Sequence, residues 1–139
     1  MKFIHTADWH IGRKLQQIDL LDDQEFVLNN LIEEIKEHDL DFIIIAGDLY
    51  DRSVPSREAT TLLQELLIKI NIECNLPIFA ISGNHDSRER LAVGQAWFSK
   101  HNFYLVTQLE DVFHKIQYKD ADIYLLPYFE PYEAKVYFE

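Results

Sequence analysis

Three short, strongly apolar segments, each followed at once by a polar cluster, limit the possible folds of this chain more than any other feature. The segments cover residues 2–7, 42–46 and 77–81. The middle one, Phe-Ile-Ile-Ile-Ala, is apolar throughout, which is typical of a strand covered on both faces in a parallel sheet. We therefore predict three strands that run through the interior of one domain.

Stretches with helical spacing of apolar residues separate these strands. Residues 22–38 carry such a stripe at Val27, Leu28, Leu31, Ile32 and Ile35, and residues 59–70 carry another at Ala59, Leu62, Leu63, Leu66, Leu67 and Ile70. A third helix is predicted at about 87–100. Closely spaced strands and hairpins are predicted after residue 103, at 104–106, 112–116 and 123–126.

This order predicts a layered α/β domain with right-handed crossovers, mainly parallel in its first half and β-rich after about residue 103. We expect residues 1–139 to form a single domain. The 24 acidic and 13 basic residues give a formal net charge of -11, which disfavours non-specific binding to nucleic acid or to an anionic membrane. The single cysteine, the lack of a signal-like start and the lack of a long apolar run predict a cytoplasmic protein without a membrane span.

The polar clusters that follow the three strands are rich in potential metal ligands. They read Asp8-Trp9-His10, Gly47-Asp48-Leu49-Tyr50-Asp51 and Gly83-Asn84-His85-Asp86. Parallel strands joined by helices bring all three clusters to the same edge of the sheet. Carboxylate, imidazole and amide groups without thiolates favour divalent ions such as Mn²⁺, Fe²⁺ or Zn²⁺. We therefore predict a shared metal site at this edge.

The three clusters, in this order, resemble those of the calcineurin-like metallophosphoesterases, and most closely those of the SbcD-type nuclease subunits. The resemblance covers about residues 1–130 and includes Leu126-Pro127-Tyr128 followed by Pro131. It implies a layered α/β/β/α fold and two divalent ions, most often Mn²⁺. By this resemblance Asp8 and His10 hold the first ion, Asp48 bridges both, Asn84 holds the second, and His85 assists the leaving group.

Other residues in or near the clusters are expected to have supporting roles. We expect Asp51 and Asp86 to orient a ligand imidazole or to hold a loop rather than to bind metal directly. Trp9 is expected to pack beneath its loop rather than to stack on a base, and His5 is expected in the core. For His85 the alternative is a histidine that only packs beside the site.

The sequence also departs from the family pattern, which continues with further histidines that include a Gly-His-x-His motif. This chain lacks that motif, and its later histidines, His101 and His114, do not match it. The resemblance is therefore to the N-terminal portion of a longer nuclease domain. We expect weaker metal binding, or binding of one ion, and an isolated chain that can be inactive.

All the arginines of the chain follow one of the three clusters within a few residues. They are Arg13, Arg52, Arg57, Arg88 and Arg90. Guanidinium groups there can bind the phosphate oxygens of DNA, although ordinary solvated positions explain any one of them as well.

The resemblance implies DNA as substrate, an SbcC-type ATPase subunit as partner, and a homodimer formed through the helices near residues 59–70 and 88–100. Two alternatives stay open. One is another calcineurin-like phosphoesterase, such as a protein phosphatase, a nucleotide phosphatase or a cyclic-nucleotide phosphodiesterase. The other is a non-catalytic dimerising fragment.

Overall fold

The computed structural model describes residues 1–138 and shows an α/β fold built on one parallel sheet. In chain order its strands are β1 Phe3–Thr6, β2 Lys14–Leu15, β3 Ile18–Asp19, β4 Phe42–Ala46, β5 Ile78–Ile81, β6 Phe103–Val106, β7 Ile116–Tyr118 and β8 Ala121–Ile123. The α-helices are α1 Leu21–Glu37, α2 Arg57–Ile68, α3 Arg88–Ala92, α4 Gln95–Phe98 and α5 Pro131–Phe138. A π-helical turn at Lys69–Glu73 extends α2, and short 3₁₀ turns lie at Ser99–His101 and Leu109–Asp111.

The main sheet has the strand order β1-β4-β5-β6, and all its neighbours run parallel. Since each strand lies beside the next one along the chain, right-handed crossovers place every connecting helix on the same face of the sheet. The hairpins β2–β3 and β7–β8 form separate two-stranded sheets. The α/β fold class with a largely parallel sheet is confirmed.

Alternating side chains of the central strands divide the interior into two cores. Ile43, Ile45 and Ile78 face the helices and pack with the buried stripes of α1 and α2. Phe42 and Phe79 face the other side, where residues of β7, β8 and the segment after β8 cover them. Both faces of β4 and β5 are thus buried, which explains their uniformly apolar sequences.

The prediction of one continuous third helix at about 87–100 is wrong, because two short helices cover this region. α3 ends at Ala92, Gly94 turns the chain with φ +94°, and α4 begins at Gln95. The left-handed conformation that this glycine adopts at low cost ends one helix and lets the chain change direction before the next.

Three smaller expectations also differ from the structure. The predicted strand at 112–116 is replaced by a turn, and β7 begins only at Ile116, whose pairing with Ile123 is set by the hairpin. Val27 is 61% exposed, because α1 buries only Leu28, Ile32 and Ile35. His5, expected in the core, is exposed on β1, an edge strand of the main sheet. Among residues 1–138, no helix is both long and apolar enough to cross a membrane.

Candidate metal centre

The loops after β1 and β4 continue to pair beyond the ends of their strands. Asp8 donates its N–H to the Gly47 carbonyl (3.1 Å), and His10 donates to the Asp48 carbonyl (2.9 Å). Ile11 then donates to the carbonyl of Leu49 (3.0 Å). This ladder fixes the first two polar clusters side by side at the carboxyl edge of the sheet.

The third cluster approaches the second through two glycines. A Cβ atom built on Gly47 lies 3.1 Å from the Cα of Gly83, and one built on Gly83 overlaps the Asp48 carboxylate and main-chain nitrogen. The contact between these loops therefore requires glycine at residue 83. The main-chain N–H of His85 also donates to Asp48 Oδ1 (2.9 Å), which fixes one carboxylate oxygen.

A buried carboxylate holds this contact together. Asp86 accepts hydrogen bonds from the N–H groups of Leu49 (3.1 Å), Tyr50 (3.0 Å) and Gly83 (2.9 Å). Burial raises the pKa of Asp86 above its usual value, while the three N–H donors act in the opposite direction. Through these hydrogen bonds Asp86 links the loop after β4 to the loop after β5, an arrangement consistent with the loop-holding role expected from the sequence.

Three of the predicted ligands meet at this edge. His10 Nε2 lies 3.8 Å from Asp8 Oδ1 and 3.6 Å from Asp48 Oδ2. One potential donor atom from each residue falls within 4.8 Å of those of the other two. Asp48 is buried at the base of the cluster, while the Asp8 side chain is 67% exposed at its mouth.

The backbone at these three residues is unusual. Asp8, His10 and Asp48 have φ values of +56°, +45° and +48°. Non-glycine residues seldom adopt the left-handed region, and each such residue costs about 1–3 kcal/mol. The hydrogen bonds around the loops stabilise this conformation, which turns all three side chains toward one another.

The second nitrogen of His10 faces a different carboxylate. Nδ1 is buried, makes no hydrogen bond within the described part of the chain, and lies 3.6 Å from Asp51 Oδ1. A proton on Nδ1 leaves the Nε2 lone pair directed at Asp8 and Asp48, which is the tautomer that a metal ligand requires.

His85 lies against the same group. Its ring stands perpendicular to that of His10, with centroids 4.9 Å apart, and its Nδ1 lies 2.9 Å from the Asp51 carbonyl oxygen. A carbonyl only accepts, so Nδ1 carries the proton and Nε2 is the atom able to exchange one. His10, Asp51 and His85 also form a second cluster with donor atoms within 4.8 Å.

Asn84 lines a pocket of about 330 Å³ together with Asp8 and Asp48. The opposite wall is the segment at residues 126–129, and the Tyr128 N–H donates to the Ser82 carbonyl (2.9 Å) to hold that wall in place. From the predicted ligand set, the wall of this pocket offers Asp8, Asp48 and Asn84.

The arginines do not line this pocket, as far as residues 1–138 show. Arg13, Arg52 and Arg57 are exposed on loops or at the start of α2, and Arg90 lines a groove between α2 and α3. Arg88 has a structural contact instead: its guanidinium donates to both carboxylate oxygens of Glu133 and to the Tyr128 carbonyl. That contact explains its position without a phosphate.

Two residues of the site escaped the sequence analysis. Gln24, in the first turns of α1, hydrogen-bonds to main-chain atoms of residues 9, 10 and 12. Glu133 binds Arg88 and so ties α5 to the segment that forms the pocket wall. Neither belongs to a motif, and no local sequence signal marks them. Trp9 is 7% exposed in the helix-side core, and its Nε1 donates to Thr6.

The donor set fits divalent cations. Two carboxylates and an imidazole converge at the centre, an amide lies beside them, and the single cysteine, Cys74, is on the segment between α2 and β5. A comparison with known families agrees: the model of the calcineurin-like phosphoesterase family matches residues 1–137. Fold and site thus define a metal-dependent hydrolase of phosphoesters. The chain belongs to the calcineurin-like phosphoesterase family, whose members bind divalent metals.

Gly83→Ala is expected to abolish metal binding. The added Cβ overlaps Asp48, so the carboxylate must leave the cluster. Manganese titration followed by electron paramagnetic resonance measures the loss. Gly94→Ala is the matched control, because its Cβ would lie 2.7 Å from the Phe98 ring and its φ is +94°. The control should lose stability and keep its manganese affinity, and full affinity in Gly83→Ala would contradict the geometry.

The contact between α5 and the rest of the molecule is expected to depend on pH. The hydrogen bonds from Arg88 lower the pKa of Glu133 from 4.5 to about 2. The stabilisation is therefore complete above pH 4.5 and is lost as the pH falls toward 2. NMR spectra of residues 128–138 should change over that window. In Glu133→Gln the transition should be absent and the segment displaced already at neutral pH; a transition that persists would refute the assignment.

Proposed function

We propose that this chain hydrolyses DNA phosphodiesters as a Mn²⁺-dependent nuclease subunit of the SbcD type. The observation that carries the proposal is the meeting of Asp8, His10 and Asp48 at the sheet edge, beside Asn84 and His85. Membership of the calcineurin-like phosphoesterases supports metal-dependent phosphoester hydrolysis in general. The choice of DNA comes from the resemblance of the three loop sequences to SbcD-type nucleases.

When bound, divalent ions supply a nucleophilic water near neutral pH and offset the charge that builds on the phosphate. In this proposal Asp8 and His10 would hold the first ion, Asn84 would hold the second, and Asp48 would contribute its carboxylate to both. Asp51 Oδ1 lies 3.6 Å from Nδ1 of His10, and a proton on Nδ1 would leave Nε2 free to bind an ion.

His85 assists the departure of the leaving oxygen. Its Nδ1 proton is donated to the Asp51 carbonyl, so the ring orientation is fixed. In the protonated imidazole, Nε2 then gives a proton to the departing oxygen, which otherwise leaves as an alkoxide.

DNA would have to approach the carboxyl edge of the sheet although the chain has a formal net charge of -11. Arg13 and Arg52 follow the first two clusters, are exposed and can bind backbone phosphates. Arg57 adds a third positive group at the start of α2. Tyr128 and Leu126, exposed by 39% and 50% on the pocket wall, offer apolar surface to the nucleoside.

His85→Ala is expected to reduce Mn²⁺-dependent cleavage of linear DNA by about 10²–10⁴-fold, because it removes the proton donor. Manganese affinity should stay close to that of the unsubstituted chain, since the main-chain N–H that holds Asp48 is retained. His114→Ala, at a histidine outside the three clusters, should cleave normally. Equal loss in both variants, or none in His85→Ala, would exclude this role.

The same assay separates the substrate classes. Linear DNA, a phosphopeptide and a small phosphodiester are compared with and without Mn²⁺. Cleavage of the phosphopeptide in preference to DNA would favour a phosphatase of the same family. If none of the three is hydrolysed, the non-catalytic alternative replaces the nuclease.

We further propose that two copies associate through α2 and the α3–α4 region, and that an SbcC-type ATPase subunit is the partner. The ATPase rests on the resemblance alone. The dimer has additional support from an apolar groove of about 580 Å³ between these helices. Ile68, Ile72, Val93 and Trp97 are 43%, 55%, 71% and 75% exposed on these elements. Burying such side chains against a second copy is favourable by about 25 cal/mol per Å² of apolar surface.

Trp97→Glu is expected to shift the chain from dimer to monomer, because it would bury an unpaired carboxylate in the interface. Sedimentation velocity over a range of concentrations measures the change. Phe26→Glu is the matched control, since Phe26 is 69% exposed on α1. A monomeric unsubstituted chain, or dissociation caused by both variants, would contradict the proposed interface.

A further inference from the structure

A glutamine side chain contacts the first metal loop at three points. Gln24 Nε2 donates to the carbonyl oxygens of Trp9 (2.9 Å) and His10 (2.8 Å). Its Oε1 accepts from the N–H of Gly12 at 3.0 Å. Gln24 is half-buried in the first turns of α1, far from the loop in sequence.

The orientation of this amide follows from its partners. Nε2 faces two carbonyl oxygens, which only accept, and Oε1 faces an N–H, which only donates. Exchanging the two ends would oppose oxygen to oxygen twice. Both amide hydrogens are therefore donated. One goes to the carbonyl of His10, the predicted imidazole ligand, and the other to the carbonyl of Trp9, the residue before it.

Gln24 complements the pairing with the second loop. The N–H groups of Asp8, His10 and Ile11 donate to the loop after β4. The His10 carbonyl accepts from the Arg13 N–H (3.1 Å) and also from Gln24, and the Trp9 carbonyl accepts from Gln24. The left-handed His10 backbone, with φ +45°, is thus held by hydrogen bonds from both sides.

α1 gives this clamp a rigid base. Leu28, Ile32 and Ile35 bury the same helix in the core, and Gln24 itself donates its main-chain N–H to the Leu20 carbonyl (2.8 Å). A side chain anchored on a packed helix holds a functional group more tightly than one on a loop does.

We propose that Gln24 is a positioning residue for the metal site, which fixes the turn at residues 9–12 so that His10 Nε2 faces Asp8 and Asp48. The effect on metal affinity rests on the proposed function, but the effect on the loop does not. The three side-chain hydrogen bonds of Gln24 all go to main-chain atoms of residues 9, 10 and 12, so it acts through the main chain of the first loop.

Gln24→Met tests the proposal, because methionine keeps the length of the side chain and loses all three hydrogen bonds. In the metal-free chain, amide hydrogens of residues 10–12 should exchange faster. The manganese dissociation constant, from electron paramagnetic resonance, should rise about 10–100-fold, the usual effect of removing a partner that orients a ligand.

Asn71→Leu is the matched control. Asn71 Nδ2 also donates to two carbonyls, those of Leu76 (3.2 Å) and His101 (3.0 Å), and it is 9% exposed after α2. This variant should lower the unfolding midpoint and leave both the exchange of residues 10–12 and the manganese affinity unchanged. Gln24→Glu, which keeps the acceptor and loses both donors, should reproduce the faster exchange.

The outcomes separate the two ideas. Faster loop exchange with weaker manganese binding supports the positioning role. If the unsubstituted chain binds no manganese, the proposed metal-dependent function fails, while faster exchange in both Gln24 variants still supports control of the loop. Unchanged exchange in Gln24→Met and Gln24→Glu overturns the inference whatever the metal affinity.

Discussion

The main-chain hydrogen bonds that continue the β1–β4 pairing past the ends of both strands are the contacts on which the site depends. They bring Asp8 and His10 beside Asp48, and they stabilise a backbone in which all three have positive φ. Without them, each loop would relax to ordinary backbone geometry and the side chains would diverge. The strain stored in the three residues is thus compensated by bonds that belong to the sheet rather than to the site.

A second constraint is the close approach of the loops after β4 and β5. It exists because Gly47 and Gly83 have no side chains and because Asp86 accepts three N–H groups from the two loops. A buried carboxylate with three donors replaces the water that those N–H groups would otherwise bind. Asp48 can therefore lie buried at the base of the cluster with a fixed orientation.

The potential metal ligands at the sheet edge are surrounded by residues that hold their main chain, their rings or the pocket wall in place. Gln24 holds the main chain of His10, Asp51 faces its ring, and Arg88 with Glu133 ties α5 to the segment that walls the pocket. Arg88 shows that residue type alone does not identify a partner. A guanidinium near the predicted metal site could bind a phosphate, but the Arg88 guanidinium binds the carboxylate of Glu133. The same edge combines potential metal ligands with residues that hold its loops in place.

The sequence by itself determined the alternation of strands and helices, the parallel order and the three clusters. Strands buried on both faces and amphipathic helices each require a characteristic order of apolar residues, which can be read locally. Apolar spacing could not reveal the break at Gly94, the late start of β7 or the exposure of Val27 and His5, since these depend on neighbours distant in the chain. Only the tertiary structure decided which polar groups meet. Gln24 and Glu133 form hydrogen bonds across 14 and 45 residues, and no local pattern specifies such partners.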